Sequence, residues 1–158
     1  MGRLEKILDI DRIKLQVDAT SKKRVFELVG LLFEEANNLS RALVTECLMS
    51  RERLGSTGLG YGVAIPHGRM KGLKTPMAAV VQLKNPIPFA SLDDAPVGFL
   101  YCLLVPENAT QEHLDILSQV IGILRDPAKR EQLLSLDNED DIFKILTTSE
   151  SAAHTPHP

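Results

Sequence analysis

The sequence predicts one α/β domain, a mixed β-sheet sandwiched between helices. Three observations carry that reading. MAAVVQL (77–83) and GFLYCLLV (98–105) are short, nearly continuous apolar runs rich in β-branched or aromatic residues, as strands buried on both faces are. On either side of them, apolar residues recur at helical spacing behind residues that start helices. Finally, the 158 residues contain no repeat and no linker, and that length suits a single domain with a real core.

Taken in order, IKLQV alternates apolar and polar residues at Ile13, Leu15 and Val17, which predicts a half-buried strand. DATSKKR then supplies helix-start residues, and Val25, Leu28, Val29, Leu32 and Phe33 predict an amphipathic helix to about Ala36. NNLS breaks it. Ser40 can cap a second helix through about Arg53, with Leu43, Val44, Cys47 and Leu48 facing inward. A glycine-rich segment follows and closes in an extended piece, GVAIP, before the two apolar strands. The prolines of KNPIPFASLDDAPV predict an irregular connection between those strands, with little more than an edge strand in it. Thr110 can cap a long helix whose apolar stripe is Leu114, Ile116, Leu117, Val120, Ile121 and Leu124. Asp126-Pro127 starts another, the acid capping and the proline at the first helical position, and a last helix spans about Glu139 to Leu146. The order is β-α-α-β-β-β-α-α-α in a domain at 1–148. The polar, proline-bearing tail at 149–158 is expected to be disordered, and its His154 and His157 are assigned no role.

The composition excludes several classes. A formal charge of −3 argues against a nucleic-acid binder. No apolar run approaches the length that spans a bilayer, and the N-terminus lacks a signal-peptide core. Cys47 and Cys102 sit inside apolar patterns without metal-type spacing, so both read as free thiols in a reducing compartment, and the expected location is cytoplasmic.

The chemistry concentrates in GSTGLGYGVAIPHG (55–68). Glycines let backbone N–H groups approach an anion closely, and Ser56 and Thr57 add hydroxyl donors. Pro66 fixes a backbone angle just before His67, whose neutral imidazole is a competent nucleophile near pH 7. Residues 51–74 hold five basic side chains (Arg51, Arg53, Arg69, Lys71, Lys74) against one acid, Glu52; they fit either an anion-facing patch or a solvated rim. The segment is not a Walker A loop, because no Gly-Lys-Ser/Thr follows, and not a dinucleotide fingerprint, because the glycines do not open a helix. On chemistry alone, an anion or phosphoryl site at His67 stands beside an ordinary structural turn.

The whole string ERLGSTGLGYGVAIPHG resembles the phosphorylation-site signature of the type 2 EIIA domains of the bacterial phosphoenolpyruvate-dependent phosphotransferase system, the fructose/mannitol family. The resemblance runs from about residue 10 to 148. The opening DRIKLQVDATSKKRVFELVGLLF, PIPF, and LLVPENATQEHLDILS look most like its nitrogen-related branch, EIIA-Ntr. It implies a PTS EIIA type 2-like fold and a phosphohistidine carrier in which His67 accepts a phosphoryl group through Nε2 from an HPr-type phosphocarrier (NPr). It further implies that Arg51 and His113 belong to the site; Ser56 and Thr57 are candidate phosphoryl-binding hydroxyls on the residue chemistry alone. Regulated targets of such proteins include sensor kinases and potassium-transport regulators; no cofactor, metal, nucleic acid or membrane insertion is implied. Without the resemblance, His113 would read as a surface histidine near a cap and Arg51 as a solvated cation at a helix end. Arg69 stands where sugar-specific members commonly carry a smaller or uncharged residue, which fits a regulatory member better. The runner-up is a sugar-specific EIIA that passes phosphate to a IIB domain. A metal site at His67 and His113 is disfavoured, because no cysteine or carboxylate stands at ligand spacing around them. The role of Glu52 is left open between packing and pairing with a neighbouring base.

Overall fold

The computed structural model describes residues 3–108 and 110–153, with side chains to Thr148. Its centre is the antiparallel pair β5 (Met77–Ile87) and β6 (Val97–Pro106), the two apolar runs. β1 (Leu8–Val17) joins β5 in parallel. On the other side of β6, β3 (Val63–Ala64) and β4 (His67–Met70) pair with it in parallel at successive levels, and β2 (Gly58–Gly60) runs antiparallel to β3. The sheet is mixed, as expected.

Alternate β6 residues divide the core into two layers, because successive strand side chains point to opposite faces. Phe99, Tyr101, Leu103 and Val105 pack with α1 (Arg3–Ile7), α4 (Gln111–Arg125), α5 (Pro127–Ser135) and α6 (Glu139–Ala153). Leu100, Cys102 and Leu104 pack with α2 (Lys22–Asn37) and α3 (Arg41–Leu54). Both faces of β5 and β6 are therefore covered, which is why these strands read as unbroken apolar runs.

The caps stand where the sequence puts them. Ser40 Oγ accepts from Leu43 N–H at 3.3 Å, and Asp126 Oδ1 accepts from Ala128 N–H at 3.0 Å. Several expectations are corrected. The described residues open with α1, and β1 starts five residues before Ile13. Four β1 residues (9–12) bulge opposite a single residue of β5, which an edge strand tolerates. β5 continues through Pro86 to Ile87, beyond the last residue paired with β1, so the proline removes no ladder bond on that side. α6 runs to Ala153, past the expected stop at Leu146, and residues 154–158 of the expected tail lie outside the described residues. Leu43 and Leu114, expected to face inward, are 62% and 52% exposed. Each stands one helical step from the buried row of its helix and leans toward the sheet edge at β4.

That edge positions the site. β4 bonds only to β6 among the described strands, so its other side opens between α3 from one layer and α4 from the other. α3 closes against β4 because residue 68 is glycine: a Cβ there would lie 2.6 Å from Cys47 Sγ and 3.2 Å from the Cys47 carbonyl. Gly68→Ala is expected to push α3 away from β4 and cost about 1–3 kcal/mol, read as a lower midpoint in urea. The double variant with Cys47→Ala should recover part of that loss but not all, since the carbonyl contact remains.

Candidate functional site

A groove of about 690 Å³ lies along the β4 edge, with His67, Arg51 and His113 all in its lining. The backbone does most of the aiming. Pro66 has no N–H to leave unpaired at the open edge, while its carbonyl accepts from Leu103 N–H at 2.9 Å. One residue on, the His67 ring folds back on its own chain, and Nδ1 lies 2.7 Å from the Ile65 carbonyl oxygen. A carbonyl can only accept, so Nδ1 carries the proton and Nε2 holds the lone pair. Burial pulls the His67 imidazole below its ordinary value and the charge of Arg51 pulls the same way; the Ile65 hydrogen bond and the Glu52 carboxylate oppose them without prevailing. Half-buried His67 is thus neutral near pH 7, with one nucleophilic nitrogen of fixed identity.

His113 has the opposite arrangement. It is buried at the third position of α4, where its Nδ1 accepts from the Thr110 N–H at 3.1 Å. This is a capping box with histidine in the place usually taken by Glu or Gln. With Nδ1 accepting, Nε2 carries the proton of the neutral ring. The groove therefore holds one imidazole whose Nε2 gives a lone pair and one whose Nε2 gives a proton.

Arg51 stands in the last turn of α3, and one arm of its guanidinium donates to the Gly55 carbonyl at 2.8 Å. The remaining N–H groups are available in the fork geometry that suits oxyanions. Arg69 and Lys71 add positive charge along the same groove, so this part of the basic stretch faces the site. Exposed Leu43, Leu54 and Leu114 form an apolar rim.

Ser56 and Thr57 do not line the groove. Ser56 Oγ donates to the Phe89 carbonyl at 2.8 Å. Thr57 Oγ1 donates to Glu52 Oε1 at 2.6 Å, and its N–H donates to the same oxygen at 3.1 Å. Glu52 also takes Lys22 Nζ at 2.8 Å, so it pairs with a base, as one of the two sequence alternatives had it. Burial by itself would push the Glu52 carboxyl up; the hydrogen bonds from Lys22 and Thr57 outweigh it and keep the group below the usual carboxylate value. Nor do the glycines cradle an anion beside His67. Gly60 (φ 94°), Tyr61 (φ 57°) and Gly62 (φ 88°) form the left-handed turn between β2 and β3, and the Tyr61 N–H is taken by Asp93 at 2.8 Å. Sequence reasoning missed Lys22, whose partner lies thirty residues away. It also missed Leu54 as part of the rim.

Burial pushes the Cys47 and Cys102 thiols up, so neither rivals His67 as a nucleophile. No group of three His, Cys, Asp or Glu among the described residues is placed to hold a metal ion. Nor is any described helix long and apolar enough to cross a membrane.

Residues 6–149 match the family model described as the phosphoenolpyruvate-dependent sugar phosphotransferase system, EIIA 2. The nitrogen regulatory protein of Pseudomonas aeruginosa is 42% identical over 147 residues, covering 92% of this chain and 96% of that protein. The crystal structure of nitrogen regulatory protein IIA-Ntr from Neisseria meningitidis superposes with a TM-score of 0.85 at 46% identity, over 90% of this chain and 97% of that one. The fructose-specific EIIABC component of Bacillus subtilis is 30% identical over 145 residues, 91% of this chain but 23% of that larger protein.

The site predicts a pH signature. Because its folded value is depressed, the His67 ring should titrate below the ordinary histidine range in an NMR titration. The stability it lends is present above its unfolded value and lost as pH falls through the folded one. Arg51→Gln should move that midpoint upward, since a charge that disfavours imidazolium is removed.

Proposed function

The chain belongs to the EIIA 2 family of the phosphoenolpyruvate-dependent sugar phosphotransferase system, and from that premise we propose that it is a phosphohistidine carrier charged on His67 by an HPr-type phosphocarrier. The observation that carries the reading is the pairing of opposite imidazoles in one groove, the Nε2 lone pair of His67 and the Nε2–H of His113. In the transfer, the His67 Nε2 lone pair attacks phosphorus while the bond from phosphorus to the donor's imidazole nitrogen breaks and its electrons return to that ring. His67 keeps its Nδ1 proton throughout, held on the Ile65 carbonyl, so no base is needed. The transition state for such transfers is loose, and the protein's task is positioning and charge balance. Arg51 and the His113 Nε2–H serve the equatorial oxygens, and Arg69 and Lys71 supply further positive charge.

The proposed regulatory role draws on likeness to nitrogen regulatory proteins. A dianion added inside an apolar rim changes both the charge and the hydration of the docking face, enough to change which partners it accepts. Targets of the sensor-kinase or potassium-transport-regulator kind, a cytoplasmic location and an NPr-type donor belong to this proposal. The second reading, a sugar-specific EIIA handing phosphate to a IIB domain, draws on the likeness to the fructose-specific protein.

Incubation with phosphoenolpyruvate, Enzyme I and an HPr-type carrier should add one acid-labile phosphoryl group to His67, read by mass spectrometry at neutral pH. His67→Ala should take up none. Arg51→Lys keeps a charge but loses the fork, and should slow charging about tenfold or more. His113→Ala should slow charging and also fray α4, at about 1 kcal/mol for the lost cap; His113→Gln should restore the cap, seen in thermal melts. Rapid discharge onto the cysteine of a fructose or mannitol IIB domain would favour the second reading.

A further inference from the structure

The hydrogen bond that fixes His67 does not end at Ile65. The Ile65 N–H donates to the Thr57 carbonyl at 3.0 Å. Thr57 is gripped in turn by Glu52, which accepts its N–H at 3.1 Å and its hydroxyl at 2.6 Å. Glu52 Oε2 takes Lys22 Nζ at 2.8 Å, and that ammonium rests 4.4 Å from the centroid of the Phe89 ring. None of Lys22, Glu52 and Thr57 lines the groove.

We propose that Lys22, Glu52 and Thr57 are positioning residues for His67: from outside the groove they set where the Ile65 carbonyl stands, and so which imidazole nitrogen carries the proton. The inference rests on His67 being the phosphoryl acceptor. Thr57 and Ile65 are each held at both N–H and C=O, which fixes the two peptide planes flanking each residue. Because the link crosses the Cα atoms of both residues, the hydrogen bonds pass on position, and the Glu52 charge reaches His67 only through space. The anchor is unusual for one that only adds stability. Glu52 is a buried carboxylate in the last turn of a helix, where the dipole disfavours an anion and burial disfavours any charge. An apolar side chain of the same size would pack there without those costs. What the carboxylate alone provides is two oxygens able to hold three donors from two separate segments: an ammonium from α2, and an amide and a hydroxyl from the turn after α3. Those two segments and the Ile65–His67 segment running from β3 into β4 are thereby brought to a common register. Without the Ile65 acceptor in place, the imidazole is free to take its proton on Nε2, the atom that must attack.

The test uses the full chain and two readouts. Long-range ¹H–¹⁵N correlation spectra, recorded above the titration range of the ring, give the His67 tautomer with no phosphoryl donor present. Stopped-flow or quenched charging by an HPr-type carrier gives the rate. The wild-type ring should be the Nδ1–H form. Thr57→Val, which keeps shape but loses the hydroxyl, and Glu52→Gln, which loses the ion pair, should both populate the Nε2–H form. Both should charge about tenfold more slowly, the scale on which small misplacement of a reacting group acts. Thr57→Ser should restore tautomer and rate together. A Nδ1–H ring unchanged in folded Thr57→Val and Glu52→Gln would overturn the network, whatever happened to the rates. A tautomer that shifts as expected in a protein the carrier cannot charge would uphold the network and strike the carrier reading alone.

Discussion

The site depends on one hydrogen bond, 2.7 Å long, between the His67 ring and the carbonyl of a residue two positions before it. An imidazole in water exchanges its proton freely between two nitrogens, and a ring with that freedom presents the wrong atom part of the time. Tying Nδ1–H to a main-chain acceptor removes the choice. A main-chain acceptor is also rigid in a way that a side chain is not. The Ile65 oxygen stands at the end of a segment pinned by Pro66 to β6 and by Thr57 to the turn after α3. Local sequence and global fold cooperate here: the proline sets one torsion, the edge strand leaves the ring room to turn out, and Gly68 lets α3 come close enough to wall the groove.

Half-burial is the second constraint, and it acts with the first. Full burial would shut out a reacting partner; full exposure would leave the ring's protonation to the solvent. At intermediate depth, desolvation together with Arg51 favours the neutral ring, while Nε2 stays open to the groove. Under the proposed function, the same Arg51 that disfavours a positive imidazole would favour a negative phosphoryl group attached to it. One cation would thereby prepare the acceptor and stabilise its product, which is open to it only because the two states differ in charge at nearly the same point.

Much of this was legible in the chain, for reasons that differ by element. β5 and β6 were readable because two-sided burial leaves an unbroken apolar run, and α3, α4 and α5 because Ser40, Thr110 and Asp126 are capping residues standing where their helices begin. His67 was readable because proline and glycine flank it. The role of Glu52 was not, since Lys22 approaches it from another helix and no spacing encodes that meeting. Ser56 and Thr57 illustrate the converse. A hydroxyl beside a candidate nucleophilic histidine suggests a donor to substrate, yet both hydroxyls point into the scaffold, toward Phe89 and Glu52. Periodicity assigns Leu43 and Leu114 to the core, but a period cannot tell the core from an exposed apolar rim.

That rim follows from the kind of donor the proposed reaction uses. An enzyme acting on a free small molecule can sink its nucleophile in a pocket and shut a loop over it. When the phosphoryl group arrives on another protein's imidazole, the donor ring must reach the acceptor ring in line, and two folded surfaces cannot interpenetrate deeply. The acceptor then belongs on a sheet edge between helix ends, shallow enough to be met. Water has to be excluded by the partner, since a shallow groove does not exclude it alone. Exposed Leu43, Leu54 and Leu114 supply apolar area around the nucleophile, and covering them would both bind the carrier and dry the reacting centre. The electrostatic contacts of Arg51 and His113 strengthen as water leaves. On this reading, docking and catalysis use the same surface, and the exposed leucines that frustrate a core-only account of the helices are what allow a shallow site to work.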